Sequence, residues 1–204
     1  MIGDWEKMNG WKFDFTSLPH WDLRDSIPYV HDRLYENKSR DVAFLLYSIV
    51  ECPMLNYTGR LAILENRKRP ELLLLVKEGR FRDSPIVFSG DGRLAFAVAD
   101  LWDGGWPIIV FAIRERRFAS FGTVSNNAGY SVREIAPNRF IVAADKVQLK
   151  GDPDGQLAKL NGTEIDPDAL HWKPFGEIDA FFARSRPSIA RKSLLQRIRA
   201  FFFR

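Results

Sequence analysis

From Tyr29 to Ile165 the apolar residues come in runs no longer than a strand, cut short by glycine, proline, asparagine or aspartate or by short charged stretches. Such punctuation leaves no room for long amphipathic helices and favours short strands joined by turns. The runs are Asp41–Val50, Arg60–Leu64, Glu71–Val76, Ile86–Ser89, Arg93–Ala99, Pro107–Ile113, Phe118–Phe121, Ser131–Ala136 and Phe140–Ala144. Asp41–Val50 is apolar enough to lie centrally in a sheet, and Pro53 ends it. One phrase is written twice: Thr58-Gly59-Arg60-Leu61-Ala62-Ile63 returns as Asp91-Gly92-Arg93-Leu94-Ala95-Phe96, with Asn138-Arg139-Phe140-Ile141 a looser third. The two full copies read as a turn glycine releasing the chain into a strand, the unit of successive hairpins. Asp152-Pro153-Asp154-Gly155 and Asn161-Gly162 supply further turns. The span is too short for the four full blades of a closed propeller. The expected fold is therefore mainly β, an antiparallel meander or sandwich of successive hairpins with a C-terminal amphipathic helix.

The layout has three parts. Residues 1–28 mix Trp5, Trp11 and Trp21 with aspartates and prolines, lack periodicity, and read as an irregular aromatic-rich arm packed across the body. Residues 29–175 form the antiparallel β domain, and residues 176–204 a basic helical tail. Within the tail Ile178–Ala183 suits a short helix, Pro187 breaks the chain, and Ser188 caps a second helix. There Ala190, Leu194, Leu195, Ile198, Phe201 and Phe202 make one apolar stripe, with arginines such as Arg197 and Arg199 on the remaining surface.

Charge is unevenly distributed. After Asp179 no acidic residue occurs, while Arg184, Arg186, Arg191, Lys192, Arg197, Arg199 and Arg204 contribute seven positive charges. Taking these from the net +4 leaves residues 1–179 at −3. The tail offers two alternatives, lying on an anionic membrane surface or docking its apolar face on its own domain or a partner. No apolar run is long enough to span a bilayer, the N-terminus lacks the pattern of a secretory signal, and Cys52 is the single cysteine. A cytoplasmic location follows as the expectation, with membrane association through the tail as its variant.

Catalytic and metal-binding signatures are lacking. There is no Gly-x-Ser-x-Gly elbow, phosphate loop, His-Glu-x-x-His or pair of cysteines, so no cofactor and no metal is expected. His20 near Asp22 and His31 beside Asp32 read as surface hydrogen-bonding pairs, and Cys52 after Glu51 as a small buried residue. Asp152, Asp154, Asp166 and Asp168 fit turns rather than calcium-loop spacing. Arg67-Lys68-Arg69 reads as a solvated loop without the aromatic neighbours of a nucleic-acid site. Asp100-Leu101-Trp102-Asp103-Gly104-Gly105-Trp106 stands out. Its two indoles and two carboxylates around a diglycine make Asp100, Trp102, Asp103 and Trp106 the candidate contact residues, the alternative being that the indoles fold back onto the sheet.

The stretch from Tyr35 to Ser48 is an apolar Tyr-Ser strand, followed by Thr58-Gly59-Arg60-Leu61-Ala62-Ile63 and by Pro70-Glu71-Leu72-Leu73-Leu74. Together they resemble small bacterial β-rich proteins associated with toxin neutralisation, over about residues 30 to 145. The resemblance implies a non-enzymatic binding protein of the immunity type, with a toxin as protein partner, and assigns no binding residue. The expectation from another class is a peripheral membrane protein held by its tail, with Leu194, Leu195, Arg197, Ile198, Arg199, Phe201 and Phe202 at the contact. Nucleic acid is not an expected partner.

Overall fold

The structure, a computed structural model, describes residues 10–19, 30–50, 58–101, 106–124, 130–144 and 164–184. The helix expected after Ser188, the Asn161-Gly162 and Asp152–Gly155 turns, His20, Cys52, Trp102 and Asp103 lie outside the described residues. The strands are β1 (Val30–Glu36), β2 (Val42–Val50), β3 (Thr58–Glu65), β4 (Glu71–Arg82), β5 (Val87–Phe88), β6 (Leu94–Asp100), β7 (Trp106–Ala112), β8 (Arg117–Val124), β9 (Tyr130–Ala136), β10 (Arg139–Ala144), β11 (Glu164–Ile165) and β12 (Lys173–Pro174). Helix α1 (Ile178–Arg184) follows the 3-10 turn Phe175–Glu177.

The meander is continuous. β1-β2-β3-β4-β6-β7-β8-β12 form one antiparallel sheet with β5 beside β6, and β11-β10-β9 form a second. β4 meets β6 only through Arg80↔Asp100 and Phe81↔Ala99. That narrow join lets the sheet fold over, so that β2–β4 and β6–β8 face each other as a sandwich. Val42, Phe44, Leu46, Leu61, Ile63 and Val76 from one half share a core cluster with Ala95, Ala97, Ala99, Ile109 and Phe111 from the other. The outer faces are covered too. Ala43, Leu45, Tyr47, Ala62 and Leu64 pack with Trp11, Phe15 and Leu18 of the N-terminal arm. Leu94, Phe96, Val98, Trp106, Ile108 and Val110 pack with Val132, Phe140, Val142 and Ile165 of the second sheet. Central strands buried on both faces have no reason to alternate with polar residues, which is why β2, β6 and β7 are near-continuous apolar runs.

Among several register shifts, two re-aim the strands. Opposite Asp32, β2 carries an extra residue, since His31 pairs Ile49 while Arg33 pairs Leu46. Ser48 takes a left-handed φ of 52° and its N–H donates to Asp32 Oδ1 at 2.8 Å. The insertion flips the alternation, so Ile49 joins Phe44 and Leu46 on the inner face. In β4, residues 77–80 leave the ladder with β3, which resumes at Phe81 opposite Gly59. Into this gap docks α1: the Lys77 and Glu78 N–H groups donate to Asp179 Oδ1 at 2.8 and 2.9 Å. Phe182 lies against Gly79 so closely that a Cβ there would sit 2.6 Å from its ring. Residues 176–184, assigned from sequence to the tail, thus belong to the body, with Ile178 and Phe182 buried.

The repeated phrase does not fill one structural slot twice. Gly92 is a turn glycine with φ 70°, as expected. Gly59 instead lies inside β3, where a Cβ would meet the Tyr47 carbonyl oxygen and Ile49 Cγ1 at 2.8 Å each. Its glycine is required by close approach of β2 rather than by a turn.

Candidate functional site

In an antiparallel meander every second turn lies at the same end. The turns β1–β2, β3–β4, β5–β6 and β7–β8 therefore share one end of the sandwich, and the β9–β10 turn joins them through side chains. Each contains one residue in the left-handed region: Arg40 (φ 56°), Asn66 (59°), Gly92 (70°), Arg116 (52°) and Asn138 (58°). In the turns 37–40, 89–92 and 113–116 it is the fourth residue, and its N–H donates back to the first residue's carbonyl at 3.0, 2.9 and 3.2 Å. A turn followed by a left-handed residue is a common way to close a hairpin of this loop length.

The turns are tied to one another. The Asn66 N–H donates to the Asp41 carbonyl at 2.8 Å, Arg116 Nη2 to Glu65 Oε1 at 3.2 Å, the Gly90 N–H to Glu134 Oε2 at 2.6 Å, and Arg93 Nη2 to Asn138 Oδ1 at 3.3 Å. Asn37, buried beneath, uses its side-chain oxygen to accept from the Asp41 and Val42 N–H groups while Nδ2 donates to Asp41 Oδ1 at 2.6 Å. Donation from Ser39, Asn37 and nearby cationic Arg114 holds the Asp41 carboxyl below its usual range. Asp91 loses hydration to partial burial, but outweighing this it accepts from the Arg93 N–H, Ser89 Oγ and the Arg93 guanidinium, which bring its pKa to about 2.

The end so built is basic at its tips. Lys38, Arg40, Lys68, Arg69, Arg114, Arg116 and Arg117 are exposed, with Asp41, Glu71 and Glu115 exposed among them. Beside the β7–β8 turn, a cleft of about 180 Å³ opens between the two sheets. Leu94 and Ala112 line it, Arg93, Arg117, Glu115 and Asp168 surround it, and Trp172 walls it, its Nε1 donating to the Pro167 carbonyl at 3.0 Å. The Arg117 guanidinium carbon stands 5.6 Å from the Trp172 ring centre, within cation–π range.

The opposite end holds the other candidates. Trp106 takes the inward alternative: it is 1% exposed in the cluster between β6–β8 and the second sheet. Its Nε1 donates to Asp100 Oδ1 at 3.0 Å and the Arg82 guanidinium lies 3.3 Å over its ring. Asp100 and Trp106 therefore come together as the neck of their loop, because strand pairing places Trp106 at the start of β7 with its side chain on an inner face. Asp32 directs its carboxylate to the Ser48 N–H, and His171 is exposed. Among the described residues no three His, Cys, Asp or Glu side chains gather into a metal site. Likewise no described helix is long and apolar enough to cross a membrane.

Sequence reasoning weighed Arg67-Lys68-Arg69 by itself and passed over Lys38, Arg40, Arg114 and Arg116. The missed signal was recurrence: cations fill the first, third and, near the chain's middle, another turn that a meander brings to the same end. Comparison with protein-family models, curated proteins and solved structures finds no match.

Proposed function

We propose that the protein is a non-enzymatic binding protein acting by protein–protein contact, of the kind that neutralises a bacterial toxin by covering it. The observation that supports this reading is the hairpin end. Five turns are cross-linked by hydrogen bonds into one surface on a sandwich buried at every layer, so a partner meets a preorganised set of turn backbones and little backbone ordering entropy is lost on binding. Rigid strands presenting turn residues are a common basis for recognition surfaces. Trp102 and Asp103 are a second contact under the same reading. The test is to purify the chain with the product of its neighbouring reading frame. A defined complex by calorimetry, together with relief of that product's toxicity on co-expression, is the expected result. No complex and no relief rejects the reading.

The tail motivates a second reading, peripheral attachment to an anionic membrane, because its seven cations have no acidic residue among them. The intact chain is then expected to sediment with phosphatidylserine vesicles at low salt, and replacing Arg191, Lys192, Arg197 and Arg199 by Gln to abolish it. Sedimentation unchanged by those replacements rejects tail anchoring.

A further inference from the structure

We infer that the hairpin-turn end is a docking surface for an acidic face of a protein partner, a deepening that rests on the binding-protein reading above. Two observations carry it. The first is backbone strain placed under exposed charge. Three of the five turns put asparagine or glycine at the left-handed position, the residue types that adopt it at least cost, whereas the β1–β2 and β7–β8 turns put Arg40 and Arg116 there. Neither arginine is buried, and the Arg116 side chain is 66% exposed with one surface contact to Glu65. An exposed pair of that kind contributes little to folding. The turn type fixes the left-handed conformation, so an exposed arginine kept there in place of asparagine or glycine points to a role outside folding.

The second observation is the pattern of sign. Residues 1–179 carry a net −3, yet at this end Lys38, Arg40, Lys68, Arg69, Arg114 and Arg116 are exposed cations on three turns that touch. Asp41, Glu71 and Glu115 stand exposed between them. A uniform lattice of phosphates, in nucleic acid or on a membrane, is repelled by those carboxylates. A protein face, acidic on balance and carrying its own scattered cations, complements both signs. The turn tips 37–41, 66–70 and 113–116 carry no aromatic residue for base stacking, and the exposed Leu72 and Ile135 behind the turns lie on different sheets, not in one apolar patch for membrane insertion.

The experiment uses the full chain with Arg191, Lys192, Arg197 and Arg199 replaced by Gln, so that the tail does not dominate, and a synthetic peptide of repeated Glu-Glu-Lys-Glu units, acidic on balance with scattered cations, as the probe at low and near-physiological salt. Arg40→Gly with Arg116→Gly is expected to raise the melting temperature while weakening probe binding about fivefold, two surface charges being lost. Lys68→Glu with Arg69→Glu is expected to weaken it about tenfold or more. Arg133→Glu, on the body of β9, is expected to leave it unchanged. Unaltered affinity in the turn variants, or no binding by the tail-silenced chain, overturns the proposal. So does a lower melting temperature for the glycine pair. If the turn variants instead abolish binding to duplex DNA or phosphatidylserine vesicles and spare the acidic peptide, the surface belongs to that other class. A complex with the neighbouring gene product that these variants do not weaken sinks this inference alone, and absence of that complex sinks the broader reading.

Discussion

Trp106 sits where three kinds of interaction meet: apolar packing in the cluster with Ile108 and Val110, a hydrogen bond to Asp100, and the Arg82 guanidinium over its ring. Truncating it leaves a cavity, a carboxylate without its indole donor and a cation without its aromatic face. Trp106→Ala is expected to destabilise the fold by about 3–5 kcal/mol, read from the midpoint of urea unfolding. A loss under about 1 kcal/mol, the range of surface positions, is incompatible with this burial. Asp91 shows a milder effect at the surface. Its folded pKa of about 2 lies below the ordinary carboxylate value of 3.8, so its bonds stabilise the fold above that value and are lost as pH falls from about 4 towards 2. Its side chain is 42% exposed, so solvent screening keeps the contribution small. Carbon-detected NMR titration should place the Asp91 midpoint near 2, and Asp91→Asn should flatten the acid limb of stability in that window. A midpoint at 3.8 or above would contradict the hydrogen bonding described.

Helix α1 shows how an element too short to persist alone is held. At seven residues it depends on the β4 bulge, which frees the Lys77 and Glu78 N–H groups for Asp179 and uses Gly79 to let Phe182 approach. Phe182 meets Phe81 edge-on at 5.5 Å between ring centres, which ties the helix to the central core. Gly79→Ala should cost about 1–3 kcal/mol through overpacking against the ring. The same change on a Phe182→Leu background should cost clearly less. Equal costs on both backgrounds would show that the ring is not the obstacle. The strands themselves were legible because layers on both sides demand apolar runs and turn residues cut them. The second half of β4, the edge strand β12 and the docking of α1 were not. Lys77-Glu78-Gly79-Arg80 reads as a polar break, and only the presence of Asp179 about a hundred positions later makes it a strand with a bulge. Gly59 and Gly92 look alike in sequence, yet one answers to a neighbouring strand and the other to a turn. The basic end was hidden for a related reason: Lys38, Arg69 and Arg116 become neighbours only once the meander decides which turns share an end.

At the scale of the whole molecule, the same strands carry two cores each. β2 and β3 face the central cluster with one set of side chains and the N-terminal arm with the other; β6 and β7 face the central cluster and the second sheet in the same way. Loss of order in any layer therefore exposes a face of a strand that another layer needs. Stability should be shared rather than partitioned, and unfolding should be a single transition despite the four stacked layers. Trp11 offers the sharpest test, since it is fully buried in the outermost layer and its Nε1 donates to Glu36 Oε1 at 2.8 Å. Trp11→Ala should lower the unfolding midpoint seen by near-ultraviolet dichroism, which reports aromatic packing throughout, and by far-ultraviolet dichroism, which reports the strands, to the same degree. If the arm were an appendage, the substitution would give an early aromatic transition while the β signal kept its original midpoint. Coincident curves, shifted together by about 3–5 kcal/mol, are the outcome that strands shared between cores require.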